Sequence, residues 1–197
     1  MRQPEITRHT ILHRASRLFN TKGYKATSIS DVTDATQLTK GAIYRHFQNK
    51  EELEIESFDY MLNEIKGLLR AKVKKENNAI DKLKAVLSFF QDYIKCPPIE
   101  GGCPLLNAST EVDDSSSPLK SKAIEMYTTL KDTLIHIIDK GKINDQIKSE
   151  INSEAYASVI ICSLEGAIMT GRLSKSTRDM RNVISFLSDL IENMKKS

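Results

Sequence analysis

The residues best suited to chemistry lie between Ser28 and Phe47, in the segment SISDVTDATQLTKGAIYRHF. Lys40 and Arg45 can donate to guanine O6 and N7 or to phosphate. Gly41 and Ala42 are small enough to let the start of a helix sit deep in a groove. Tyr44 and His46 can hydrogen-bond phosphate oxygens. Thr39 stands where that helix begins, so its side chain joins the backbone N–H groups at the positive end of the dipole. This is the chemistry of gripping a polyanion, and none of it makes or breaks bonds. The chain contains no G-x-G-x-x-G, P-loop, H-E-x-x-H, C-x-x-C or nucleophile elbow, so no catalytic residue, no cofactor and no enzymatic activity are expected. Cys96, Cys162 and His136 lack zinc-type spacing, so no metal is expected either.

The elements that must position these residues are helical nearly everywhere, because the apolar residues recur at three- and four-residue intervals. The first helix is expected from about Ile6 to Thr21, with Gly23 closing it. Ser28 caps a short second helix, aided by Asp31. Thr39 caps a short third one to about Phe47. Two short helices joined by a tight turn read as a helix-turn-helix, with Ile29, Val32, Ala35, Leu38, Ile43 and Phe47 as its apolar contacts. Asn49 and Glu52 open a long fourth helix with a capping-box pattern. Further helices follow: Ile80 to about Ile94, a short one at Pro104, one from Pro118 ended by Gly141, one capped by Asn152, and a last one capped by Thr177. The expected fold is all-α with about nine helices: a three-helix head over residues 1–50 and a helical body over 51–197.

Charge singles out the head. Residues 1–50 hold nine Lys and Arg against three acids, a net of +6, while the remainder carries 20 basic and 23 acidic residues, a net of −3. A basic head on a slightly acidic body suggests a polyanion partner for the head, which the helix-turn-helix reading makes double-stranded DNA; a merely solvated basic face is the alternative. No apolar run reaches the ~18–20 residues of a membrane span. The N-terminus carries no secretory pattern, and three cysteines make no disulfide framework. A cytoplasmic location without membrane association is expected.

Residues from about Ile11 to Leu53, roughly a quarter of the chain, resemble the DNA-binding domain of the TetR/AcrR transcriptional regulators. The resemblance is carried by Ala15, Leu18-Phe19, Gly23-Tyr24, Thr27-Ser28-Ile29, Thr39 through Phe47, and Lys50-Glu51-Glu52-Leu53. It implies that Thr27, Ser28, Tyr44, His46 and Lys50 touch phosphate and that Lys40, Gly41, Ala42 and Arg45 face bases. Tyr44 as partly core and Lys50 as an ordinary surface lysine remain open. Where the family usually has a small residue and a glycine in the turn, this chain has Thr36 and Gln37, and a non-glycine residue at positive φ there is mildly strained.

The resemblance also implies a homodimer formed through the last two helices and a small-molecule inducer cavity among the central ones. Ala155, Ala157, Gly166, Ala167 and Gly171 permit close helix approach. Candidate lining residues are Met61, Ile65, Phe89, Phe90, Tyr93, Cys103, Leu106, Asn107, Met126, Tyr127, Leu130, Leu164, Glu165 and Met169, with plain core as the alternative for most. Asn107 and Glu165 are polar groups on apolar faces and need partners, the ligand among the choices. Cys103 precedes Pro104, so it sits where a helix start would stabilise a thiolate. Gly102-Cys103-Pro104-Leu105-Leu106-Asn107 resembles a signature in a subgroup of the family, some of whose members respond to reactive electrophiles. An inert capping thiol is the other reading of Cys103. Together these features predict a ligand-responsive repressor of a pseudopalindromic operator. The alternative is a helical small-molecule carrier or an adaptor without sequence-specific DNA binding.

Overall fold

The computed structural model describes residues 4–91 and 93–196. Nine helices are present among them: α1 Pro4–Lys22, α2 Ile29–Thr36, α3 Lys40–Tyr44, α4 Lys50–Val73, α5 Ala79–Gln91, α6 Pro104–Val112, α7 Pro118–Ile143, α8 Ser153–Ser174 and α9 Arg178–Glu192. The only pairing outside helices among the described residues is an isolated antiparallel bridge between Ile147 and Lys195. No described helix is long and apolar enough to cross a membrane.

The chain forms two compact units. The first holds residues up to Ile65 together with Ile99–Glu125; the second holds Lys66–Pro98 and Met126–Ser197. In the first unit α1 packs on α2, α2 on α3, and α1 also meets α6. Its core includes Ile11, Ala15, Phe19, Val32, Ile43, Phe47, Leu53 and Phe58, all buried. In the second unit α9 packs against both α8 and α5, with Leu83, Leu87, Ile138, Ile160, Ile168, Met180, Leu187 and Ile191 buried.

Capping follows the sequence at several starts. Ser28, Thr39 and Asn152 each accept a hydrogen bond from the third residue beyond them. At α4, Asn49 accepts from the Glu52 N–H at 2.8 Å, but the Glu52 carboxylate reaches back to the Gln48 N–H, one residue earlier than a capping box requires. Thr177 precedes α9 without capping it by its side chain; its hydroxyl accepts from Arg181 instead, at 2.7 Å.

Three expected helix ends differ. Gly141 was the expected terminus of α7, yet the helix runs on to Ile143. Packing is the reason: a Cβ on Gly141 would lie 2.6 Å from the Ala79 Cβ and 2.7 Å from Ile147 Cδ1, so the glycine admits neighbours rather than ending the helix. The described α5 stops at Gln91, short of Ile94, and Tyr93 already lies in a turn. α3 is a five-residue helix, and its expected continuation to Phe47 becomes a turn closed by His46 N–H to Ile43 C=O at 2.9 Å.

Gly101 has φ +107°, and a Cβ there would meet the Asn20 carbonyl oxygen at 2.3 Å. Replacing it by alanine adds backbone strain and a clash with main chain that cannot rotate away, at a cost of about 2–3 kcal/mol. Gly67 lies within α4 with open space around it, and alanine there gains about 0.5–1 kcal/mol of helix propensity. Urea denaturation should therefore shift in opposite directions for Gly101→Ala and Gly67→Ala; equal shifts would contradict the packing assigned to Gly101.

Candidate nucleic-acid interface

The turn between α2 and α3 decides how α3 is presented. Gln37 takes the left-handed conformation, φ 57° and ψ 33°, as the sequence anticipated for a turn lacking glycine. Its side chain offsets some of the strain by donating to the Asp34 carbonyl at 2.7 Å. Thr36, buried, donates back to the Val32 carbonyl at 2.7 Å, which leaves no stray hydroxyl in the turn. Thr39 then accepts from Ala42 N–H at 3.2 Å and starts α3.

α3 buries Ile43 and, just beyond it, Phe47. Lys40, Gly41, Tyr44 and Arg45 are exposed. The Lys40 ammonium lies 5.9 Å from the centre of the Tyr44 ring, close enough for a weak cation–π contact that keeps both on one face. Arg45 makes no ion pair among the described residues. Open space surrounds Gly41; Ala42 and His46 are half-buried. Tyr44 is 40% exposed, so it is not core.

Three residues expected at phosphate have partners within the chain. Thr27 is buried, and its hydroxyl donates to the Gly23 carbonyl at 2.6 Å, because the chain must close the turn after α1. Lys50 donates to the Tyr24 carbonyl at 2.7 Å and pairs with Glu54 at 3.0 Å, tying the start of α4 to that same turn. Ser28 is exposed, but its hydroxyl already donates to Asp31 at 2.7 Å in a full capping box. Lys22, the Ser28 N–H and the Ser28 hydroxyl hold the Asp31 carboxyl well below the usual carboxylate range.

The turn after α1 is also held from α6. The two Glu111 carboxylate oxygens accept the N–H groups of Tyr24 at 2.9 Å and Lys25 at 3.0 Å. Tyr24 stacks on Phe19 with ring centres 5.2 Å apart. Burial first, then the Glu111 and Glu54 carboxylates, raise its phenol well above the usual tyrosine range. Asn107 directs its amide to Asn20 O at 3.0 Å, Asn20 Oδ1 at 2.9 Å and Gly101 O at 2.9 Å. Asn107 thus finds partners within the chain, in Asn20 and Gly101. Sequence reasoning passed over Asn20 and Glu111; a polar residue on the apolar face of α1, four residues after Ser16, was the available signal.

The expected ligand-lining residues divide between the units. Met61, Ile65, Cys103, Leu106 and Asn107 belong to the first; Phe89, Phe90, Tyr93, Met126, Tyr127, Leu130, Leu164, Glu165 and Met169 belong to the second. The structure brings Phe89, Phe90 and Tyr93 into one aromatic cluster, with ring centres 5.2–6.1 Å apart. Tyr127 and Met169 are exposed and so do not line the interior of a single chain: each sits on the outer side of its amphipathic helix. Cys103 holds the N-cap position of α6, but its side chain does not cap the helix and is buried. A cleft of about 610 Å³ in the second unit is lined by other residues: Ile94, Lys95, Gly171, Arg172, Lys175, Ser176 and Thr177.

Residues 11–56 match the family described as bacterial regulatory proteins of the tetR family, and residues 79–187 match the tetracyclin repressor-like C-terminal domain. This chain belongs to the TetR family of transcriptional regulators. A TetR-family regulator from Cytophaga hutchinsonii superposes with a TM-score of 0.91 at 35% identity, covering 100% of this chain and 98% of that one. A TetR regulator from Chloroflexus aurantiacus gives 0.95 at 31%, over 99% and 98%. Among curated relatives, the icaADBC biofilm operon negative transcriptional regulator IcaR of Staphylococcus epidermidis is 29% identical over 161 residues, 79% of this chain and 78% of its own. The helix-turn-helix of this TetR regulator is accordingly a DNA-binding element.

Because the folded Asp31 carboxyl is lowered from 3.8, its contribution to the head is complete above that pH and is lost as the pH falls below it. Asp31→Ala should lower the thermal midpoint at pH 7, and the gap from wild type should close as the pH drops below 3.8. A gap independent of pH would mean that the charge of Asp31 does not matter to the head.

Proposed function

We propose that this TetR regulator is a homodimeric repressor that grips a pseudopalindromic operator through α3 of each copy and lets go when a small-molecule inducer binds. The exposure of Lys40, Tyr44 and Arg45 on α3, against the burial of Ile43 and Phe47, carries this reading. Lys40 and Arg45 are free to reach base edges, Gly41 and Ala42 allow close approach, and Thr39 with Tyr44 and His46 takes phosphate. The similarity to IcaR, a negative regulator, favours repression.

A single head reads few bases, and half-sites one helical turn apart need two heads ~34–36 Å apart. The second unit supplies a surface for pairing. Val159, Met169 and Leu173 on α8 and Phe186 on α9 are exposed, and nothing lies near Gly166. On α8, positions 159, 162, 166, 169 and 173 share one helical face. A second copy packing α8 and α9 there completes a four-helix bundle.

The inducer acts through unequal affinity for conformations that do and do not fit the operator. The Phe89–Phe90–Tyr93 cluster, with Leu164 and Glu165 of the same unit, is the candidate ligand wall. The narrower form is an electrophile with an activated C=C bond: the thiol gives its proton to solvent, Cys103 Sγ adds to one carbon, and the π pair goes to an enolate that takes a proton from solvent. N-ethylmaleimide should then release DNA from the wild type, and a Cys103→Ser variant released just as fully would overturn this form.

The deciding experiment compares binding to DNA upstream of the protein's own gene with binding to scrambled DNA of equal length. Selectivity of at least ~10³, saturating at two chains per site, is expected for the wild type. Lys40→Ala with Arg45→Ala should abolish it, each base contact being worth about 1–3 kcal/mol, while the circular dichroism stays helical. Equal binding to both DNAs, or normal binding by the double variant, would overturn the assignment.

A further inference from the structure

We propose that the cleft at the corner between α8 and α9 binds a small molecule carrying two or more anionic groups, phosphoryl or carboxylate. This site is separate from the aromatic cluster, since none of Phe89, Phe90, Tyr93, Leu164 or Glu165 lines the cleft. The inference does not rest on the repressor reading.

The cleft measures about 610 Å³, within the range of about 300–1,000 Å³ usual for small-molecule sites. Lys95, Arg172 and Lys175 line it, and no carboxylate does. All three cations are exposed, and none is in an ion pair among the described residues. Other cations of the same unit do meet carboxylates: Lys84 meets Glu192, Lys131 meets Glu154, Lys142 meets Asp139 and Lys196 meets Asp145. The imbalance at the corner is local. Residues 51–197 hold 20 basic and 23 acidic residues, yet residues 172–181 hold Arg172, Lys175, Arg178 and Arg181 against Asp179 alone, a net of +3. Like charges gathered around a concave wall focus their field into it. One monovalent anion leaves most of that charge unmet, so the wall selects a ligand with several.

The remaining lining groups are suited to the same ligand. Ser176 and Thr177 bring hydroxyls to the wall. Thr177 precedes α9 without capping it, because its hydroxyl accepts from Arg181 at 2.7 Å. The one side-chain acceptor at this helix start among the described residues is Ser176 Oγ, 3.2 Å from the Arg178 N–H. The positive end of a 15-residue helix therefore adds to the field of the cations. Lys175 takes the left-handed backbone, φ 51° and ψ 38°, where glycine or asparagine is the usual occupant. The floor is firm: Ile94 seats against Gly171 so closely that a Cβ there would fall 2.9 Å from Ile94 Cδ1. Ile94 offers an apolar contact to the carbon skeleton of the ligand. At 100° per residue, Gly171 lies on the opposite side of α8 from Leu173, so pairing through the face from 159 to 173 leaves this floor uncovered.

The test is isothermal titration calorimetry of the full chain with two probes, inorganic pyrophosphate and citrate. At least one should bind, one molecule per chain, and its affinity should fall at least about fivefold between about 50 and about 300 mM salt. Pyrophosphate alone would make the source phosphoryl, and citrate alone carboxylate. Arg172→Ala with Lys175→Gly, the glycine suiting the left-handed backbone, should weaken binding at least about tenfold. Lys140→Ala, an exposed lysine of α7 outside the cleft, should change it less than about twofold. Lys95→Ala is read in the same way as the double variant should that variant lose its helical circular dichroism. No heat from either probe up to about 10 mM would overturn the proposal, as would binding that survives in the double variant or falls equally in Lys140→Ala. If neither probe binds while the double variant loses affinity for duplex DNA, the corner is a DNA contact and the proposal fails.

Discussion

A helix of five residues cannot persist by itself in water, because nucleation fixes several residues before propagation repays any of them. α3 exists only because Ile43 and Phe47 are fully buried, because Thr39 satisfies one of its first amides, and because Gln37 accepts a left-handed backbone to aim it. Everything the head does to DNA depends on that borrowed stability. Burying one large apolar side chain is worth about 1.5–3 kcal/mol, so the two anchors outweigh the strain at Gln37, which costs of order 1 kcal/mol.

The support continues outward through the turn between α1 and α2. That turn is held at its N–H groups by Glu111, at the Tyr24 carbonyl by Lys50, and within itself by Thr27. Bonds to charged groups are among the stronger ones, about 1.5–3 kcal/mol each. Three side chains a sequence reader assigns to function or leaves unassigned thus do structural duty in this turn. Rigid support beneath α3 holds Lys40 and Arg45 on its exposed side, the arrangement on which the proposed groove reading depends.

Local signals were legible wherever a single residue decides the outcome. Ser28, Thr39 and Asn152 as caps, Pro104 at the start of α6, and the strained turn at Gln37 all follow from side-chain chemistry within four residues. The helix-turn-helix was legible because its apolar spacing and its basic residues agree. Gly141 was misread because a glycine that ends a helix and one that admits Ala79 and Ile147 look alike in one dimension. The internal partners of Thr27 and Lys50 were hidden for a related reason: both donors have backbone acceptors, Gly23 O and Tyr24 O, that only folding brings within reach. Asn20 and Glu111 went unnoticed because their partners lie more than 80 residues away, and no periodicity connects such positions.

The ion pairs of the head bear on its hold over a polyanion. Of the nine Lys and Arg in residues 1–50, Arg8 is paired with Glu56, Arg17 with Glu100, Lys22 with Asp31 and Lys50 with Glu54. Arg2 lies outside the described residues, which leaves Arg14, Lys25, Lys40 and Arg45. Binding to duplex DNA draws much of its strength from the condensed cations that a protein displaces, about 0.9 per phosphate neutralised. Four of the head's cations already have a carboxylate partner within the chain. Each such pair must be exchanged for a phosphate before its cation can displace one, so the formal charge of the head overstates the cations that are ready to do so.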